Sequence, residues 1–108
     1  MKRFEVVYAP EAEAALVALF QHLASNVDPD TARRYLEGLL DHCESLDQLP
    51  LRGTPRDDIR AGLRVTPYRA RTVIAYVVEG ERVAIIGFFH GGQDYESRLH
   101  EALLGTDR

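Results

Sequence analysis

The sequence predicts an α+β fold in which a helical hairpin packs on one face of a small, mostly antiparallel sheet. The element order is β-α-α-β-β-β, with a short helix at the C-terminus. Three observations predict it. Two stretches within residues 10–50 repeat apolar residues at three- and four-residue spacing. Two apolar runs, residues 71–78 and 82–90, follow and join at Glu79-Gly80-Glu81. Between these halves stands Gly62-Leu63-Arg64-Val65-Thr66-Pro67-Tyr68-Arg69, an alternating segment with arginines near its bends.

Each element has a local reason. Residues 4–8 (Phe-Glu-Val-Val-Tyr) are aromatic and β-branched, and read as a strand. A late strand is its natural partner. Pro10 suits a first helical turn, where its missing N–H costs nothing. Ala12, Ala15, Leu16, Leu19, Phe20 and Leu23 then form one apolar stripe, which fades at Ser25-Asn26. Asp28 is a good N-cap and Pro29 a good first residue for a second helix. Its stripe is Ala32, Tyr35, Leu36, Leu39, Cys43 and Leu46, and Pro50 is expected to end it. Gly38 interrupts this helix at a cost of about 1 kcal/mol relative to alanine, which a close helix–helix approach would explain. The short link between the helices predicts an antiparallel hairpin. Residues 51–61 read as a loop. Pro67 marks a strand end or a sheet edge. The last two strands are apolar on both parities, so both faces should be partly covered. Asp94 is expected to cap a last helix carrying Leu99 and Leu103, with Tyr95 packing beneath it and a frayed tail from Gly105.

The 108 residues make one domain, residues 1–108. A net charge of −4 argues against a protein that lives on nucleic acid, so no direct DNA binding is expected. The charge is uneven, however. Between residues 52 and 71 there are six arginines against two acids, Asp57 and Asp58. The single cysteine, Cys43, excludes an intrachain disulfide and reads as a small buried hydrophobe. No apolar run is long enough to span a bilayer, and residues 1–10 lack a signal-peptide core. A cytoplasmic location without membrane attachment is expected.

Candidate chemistry narrows quickly. His22, His42, His90 and His100 do not pair with one another or with Cys43 at metal-ligand spacing, so no metal and no cofactor are expected. The serines lie in no nucleophile elbow, and no phosphate-binding loop is present. The candidate set is Arg64, Tyr68, Arg69, Arg71 and His90. Arginines offer forked, permanently charged donors, and histidine exchanges a proton near neutral pH. Such a set suits either a charged docking surface or metal-free RNA cleavage by the RNA's own 2′-hydroxyl. It also suits a solvated sheet face whose arginines only neutralise nearby acids.

Several ordered segments resemble ParE-type toxins of the RelE/ParE superfamily. They are Val6-Val7-Tyr8-Ala9-Pro10-Glu11-Ala12-Glu13, Gly62-Leu63-Arg64, Pro67-Tyr68-Arg69, Thr72-Val73-Ile74-Ala75-Tyr76 with Glu79-Gly80, and Val83-Ala84-Ile85-Ile86-Gly87-Phe88-Phe89-His90-Gly91. The resemblance implies a toxin of a bacterial type II toxin–antitoxin module, bound by a ParD-like antitoxin in a hetero-oligomer. ParE-branch relatives act on DNA gyrase and RelE-branch relatives cut mRNA on the ribosome. The chain has no lysine after Lys2 and no basic tail, which favours the ParE side. The implied activity is therefore gyrase inhibition by binding, without catalysis by this chain. Arg64, Tyr68, Arg69, Arg71 and His90 are the implied target contacts. The rival is a RelE-like endonuclease, whose catalytic set would be Arg64, Arg69, Arg71 and His90 converging on one phosphate. A third reading is a non-toxic member that only binds antitoxin. The antitoxin is expected to cover Leu16, Leu19, Phe20, Leu36 and Leu40 at the edges of the helix stripes and can add a strand to the sheet. Leu40, off the main stripe, is the foremost candidate.

Overall fold

The structure, a computed structural model, describes residues 3–91 together with Glu96 and Leu99. Strand β1 (Glu5–Tyr8) leads into helix α1 (Pro10–Asn26), and α2 (Pro29–Glu44) follows after a two-residue link. Asp28 caps α2 as its sequence predicts: Thr31 N donates to Asp28 Oδ1 at 2.8 Å, and this bond holds the carboxyl below its ordinary pKa. The Tyr8 hydroxyl donates to Glu44 Oε2 at 2.7 Å, joining the end of β1, two residues before α1, to the end of α2. The hairpin is thus antiparallel.

Four strands complete the sheet: β2 (Thr54–Pro55), β3 (Leu63–Tyr68), β4 (Thr72–Glu79) and β5 (Arg82–His90). The order is β1-β5-β4-β3-β2; β1 runs parallel to β5, and the other pairs are antiparallel. The late partner expected for the first strand is therefore β5.

Both sheet faces are covered, as the unbroken apolar runs require. The helix-side core joins Ala12, Leu19, Leu39, Cys43 and Leu46 to Tyr68, Ile74, Tyr76, Val83, Ile85 and Phe88. The opposite face holds Leu63, Val65, Ala75 and Val77, packed with Ile59 and with Leu99, which is only 3% exposed. Burial lifts the Cys43 thiol to about 12, so it stays protonated and acts as an apolar filler.

A β-bulge sets what β5 presents. Ala75 pairs with Gly87 but Tyr76 pairs with Ile85, so Ile86 is one residue too many. The side-chain alternation flips there. Val83 and Ile85 face the helices before the bulge, and Phe88 faces them after it. His90, two residues on, is carried to the same side.

Three sequence expectations need correction. Helix α2 stops at Glu44 and tightens into a 3₁₀ turn, Ser45–Asp47, before Pro50 is reached. The 51–61 loop contains the two-residue strand β2. Gly38 serves a helix–sheet contact, because a Cβ there would collide with Tyr68 Oη. Of the expected last helix, Glu96 and Leu99 are helical. Asp94, Tyr95, Leu103 and the tail from Gly105 lie outside the described residues.

Candidate functional site

Three residues, Arg69, Ala70 and Arg71, connect β3 to β4, in a tight turn centred on Arg69 and Ala70. Both have positive φ, 52° and 56°, and Arg71 N donates to the Tyr68 carbonyl at 3.1 Å. Two consecutive left-handed residues are adopted easily by asparagine and glycine and strain arginine and alanine. The turn leaves Arg69 and Arg71 exposed at one end of the sheet. The Arg69 guanidinium stands 5.4 Å from the centre of the Tyr68 ring.

Beneath this turn lies a polar–aromatic cluster. Tyr68 fills the space that Gly38 leaves open, and Tyr35 and His42 pack on its ring at 5.3 and 5.5 Å between centroids. Tyr35 Oη shares a 2.7 Å hydrogen bond with Thr72 Oγ1, which in turn bonds His90 Nδ1 at 2.8 Å. Thr72 opens β4 and pairs with His90 at the end of β5, so strand register alone brings them together. The His90 ring is thereby held in one orientation.

His90 also meets His22 of α1, with ring centroids 6.2 Å apart. Burial, then His22, then Arg71 hold the His90 pKa below its ordinary value. The two histidines stand at a half-open pocket of about 480 Å³ lined by Ala15, Ala18, Leu19, Phe88 and Phe89. His42 is likewise held low, by burial and then by Arg52, and its buried Nε2 has no hydrogen-bond partner among the described residues.

The five sequence candidates separate into groups. Arg69, Arg71 and His90 share the turn end. Tyr68 is there too, but at 8% exposure it supports the turn from the core. Arg64 is elsewhere. It pairs with Tyr76, four residues along β3 from Tyr68, roughly 13 Å at the rise of a strand. Its Nη1 donates to the carbonyls of Leu51 and Gly53 at 3.0 and 2.7 Å, tying the loop to the sheet. The four-residue convergence that a RelE-like site needs is absent.

The antitoxin candidates also divide. Leu19 is a core residue, 5% exposed, because the stripe centre of α1 faces the sheet. Leu16, Leu36 and Leu40 are half-buried and Phe20 is 37% exposed. Val17, not singled out from the sequence, is 58% exposed on α1. Sequence reading also passed over Tyr35 and Thr72 and considered His22 only as a metal ligand. Tyr35 looked like an ordinary stripe residue, and nothing local marks Thr72. No group of three or more metal-ligating side chains occurs among the described residues. No helix there is long and apolar enough to cross a membrane.

Residues 6–95 match the sequence profile of the ParE toxin of type II toxin–antitoxin systems, parDE. The chain belongs to the ParE toxin family. Solved structures agree on the fold. The chromosomal ParDE toxin–antitoxin system of P. aeruginosa contains a chain that superposes with a TM-score of 0.71 at 20% identity, covering 82% of this chain and 97% of that one. The RelBE2 toxin–antitoxin complex of Mycobacterium tuberculosis gives 0.66 at 21% identity, covering 86% and 97%. No curated protein matches the sequence. For this ParE-family toxin, the helical hairpin and the turn end are the two surfaces to account for.

Proposed function

We propose that this ParE-family toxin arrests growth by binding DNA gyrase and that a ParD-like antitoxin holds it inactive. The observation that carries the reading is the ParE match over residues 6–95. Geometry adds support. Arg64 is committed to backbone carbonyls far along β3 from the turn end, so it stands apart from the Arg69, Arg71 and His90 it would have to join for cleavage. Exposed arginines and a fixed histidine at one end of a rigid sheet suit contact with a protein surface.

The antitoxin surface is the outer side of the hairpin. Phe20 and Val17 are exposed on α1, and Leu16, Leu36 and Leu40 are half-buried around them. An amphipathic helix laid there would bury these side chains. The RelBE2 structure is of a toxin–antitoxin complex, which supports an antitoxin as the partner.

A second reading, RelE-like mRNA cleavage, draws on one observation. The Tyr35–Thr72–His90 chain fixes a histidine beside Arg71. Inducible expression without the antitoxin separates the readings. Growth arrest with a DNA-damage response and intact transcripts is expected. Arrest with cut transcripts would replace the gyrase reading with the nuclease, and no arrest by folded protein would leave only an antitoxin-binding module.

A further inference from the structure

Helix α2 reaches both strand ends that flank the strained turn. Tyr35, Gly38 and His42 recur at three- and four-residue spacing, so they share one face of the helix. Tyr68, the last residue of β3, is seated on that face. Its ring meets Tyr35 and His42, and its hydroxyl occupies the place that a side chain at Gly38 would take. Tyr35 Oη holds the other limb of the turn through its 2.7 Å hydrogen bond with Thr72, the first residue of β4. Between the two limbs stand Arg69 and Ala70, with φ of 52° and 56°.

We propose that Tyr68 is a positioning residue through which α2 holds Arg69 in its displayed geometry, so that target binding at the turn is set from beneath by the fit of Tyr68 on Gly38. The inference rests on the reading of the turn end as the contact for a protein target.

The backbone supplies the first argument. An L-residue keeps a left-handed conformation only where its surroundings over-determine it. Here two residues in a row do so, and the support on both sides comes from one face of α2, together with the Arg71 N–H bond to the Tyr68 carbonyl. Withdrawing that support lets the turn relax and moves the side chain it carries. The second argument is the ring itself. The Arg69 guanidinium stands over it, 5.4 Å from its centre, so the orientation of the ring fixes where the charge stands. The third is Gly38, which weakens a helix interior relative to alanine. That cost is offset only if the close seat for Tyr68 matters.

Exchanging volume between the two positions tests this in the full-length chain. Gly38→Ala drives a Cβ into the Tyr68 hydroxyl. Gly38→Ala combined with Tyr68→Phe removes that hydroxyl and keeps the ring, whose Cζ lies 3.4 Å from the new Cβ. NMR of the Arg69 side chain reports on the ring directly, because an aromatic face shifts the protons above it upfield. That shift is expected in the parent chain, lost in Gly38→Ala and restored in the double variant. Inhibition of gyrase supercoiling is expected to follow the same order, about tenfold weaker in Gly38→Ala and within about twofold of the parent chain in the double variant. Arg69 resonances unmoved by Gly38→Ala, or undiminished inhibition by that folded variant, would overturn the proposal. So would inhibition that stays lost when the resonances return. If Gly38→Ala does not fold, Tyr68→Leu takes its place, removing the ring and leaving Gly38 intact. It is expected to show both losses, and parent-like inhibition there would overturn the proposal equally. If the parent chain itself does not inhibit gyrase, the target reading falls separately and the NMR comparison alone decides whether α2 positions Arg69.

Discussion

The two ends of β3 use the same residue type in opposite ways. At one end the Arg64 guanidinium is bound inward, donating to the carbonyls of Leu51 and Gly53. At the other, Arg69 and Arg71 stand exposed around a turn whose backbone is strained by non-glycine residues. The first arrangement satisfies loop carbonyls that the sheet does not pair. The second spends stability to display charge, as functional sites do. An arginine on a strand therefore says little until its donors are traced.

The largest expected effect lies at the inward end. Gly53 N donates to Tyr76 Oη at 2.9 Å, and a Cβ at Gly53 would stand 2.7 Å from that oxygen and 2.9 Å from the Val65 carbonyl. Gly53→Ala should lower stability by about 3 kcal/mol in urea unfolding. A cost near zero would mean that this corner is loosely packed. Arg64→Ala removes the donor for two carbonyls and should cost about 1–2 kcal/mol, read as a lower urea midpoint with an unchanged slope.

The turn end should respond in the other direction. Ala70→Gly releases a left-handed alanine and should stabilise the fold by about 1 kcal/mol. A destabilised Ala70→Gly would show that the turn carries no strain and would erase the contrast between the ends.

The smallest effect is a pH dependence. His42 and His90 are held below the ordinary value of 6.5 in the folded chain. The folded state then binds fewer protons than the unfolded chain, so stability is complete above about 6.5 and declines as pH falls through that value. It levels off below the folded-state pKa values. His42→Leu should flatten part of this slope in urea midpoints measured from pH 7.5 to about 5. An unchanged slope would assign the effect to His90 alone.

Much of the fold was legible because it is written locally. The cap at Asp28, the proline at the start of each helix and the two apolar strand runs each carry their own signal. What was missed depends on contacts distant in sequence. Strand β2 exists only because Thr54 and Pro55 lie beside Val65 and Arg64. Gly38 is small for the sake of Tyr68, thirty residues away. The bulge at Ile86 leaves no mark in an unbroken apolar run, yet it turns His90 toward Thr72 and Tyr35. The candidate arginines and His90 were visible as residue types, but the separation of Arg64 from the rest required strand register.

A supercoiling assay with purified gyrase tests the central claim most directly, comparing the parent chain, Arg64→Ala and the Arg69→Ala/Arg71→Ala double variant at matched folded concentration. The account predicts inhibition by the parent chain and by Arg64→Ala, and loss of inhibition in the double variant. Inhibition that survives in the double variant and vanishes in folded Arg64→Ala would contradict it.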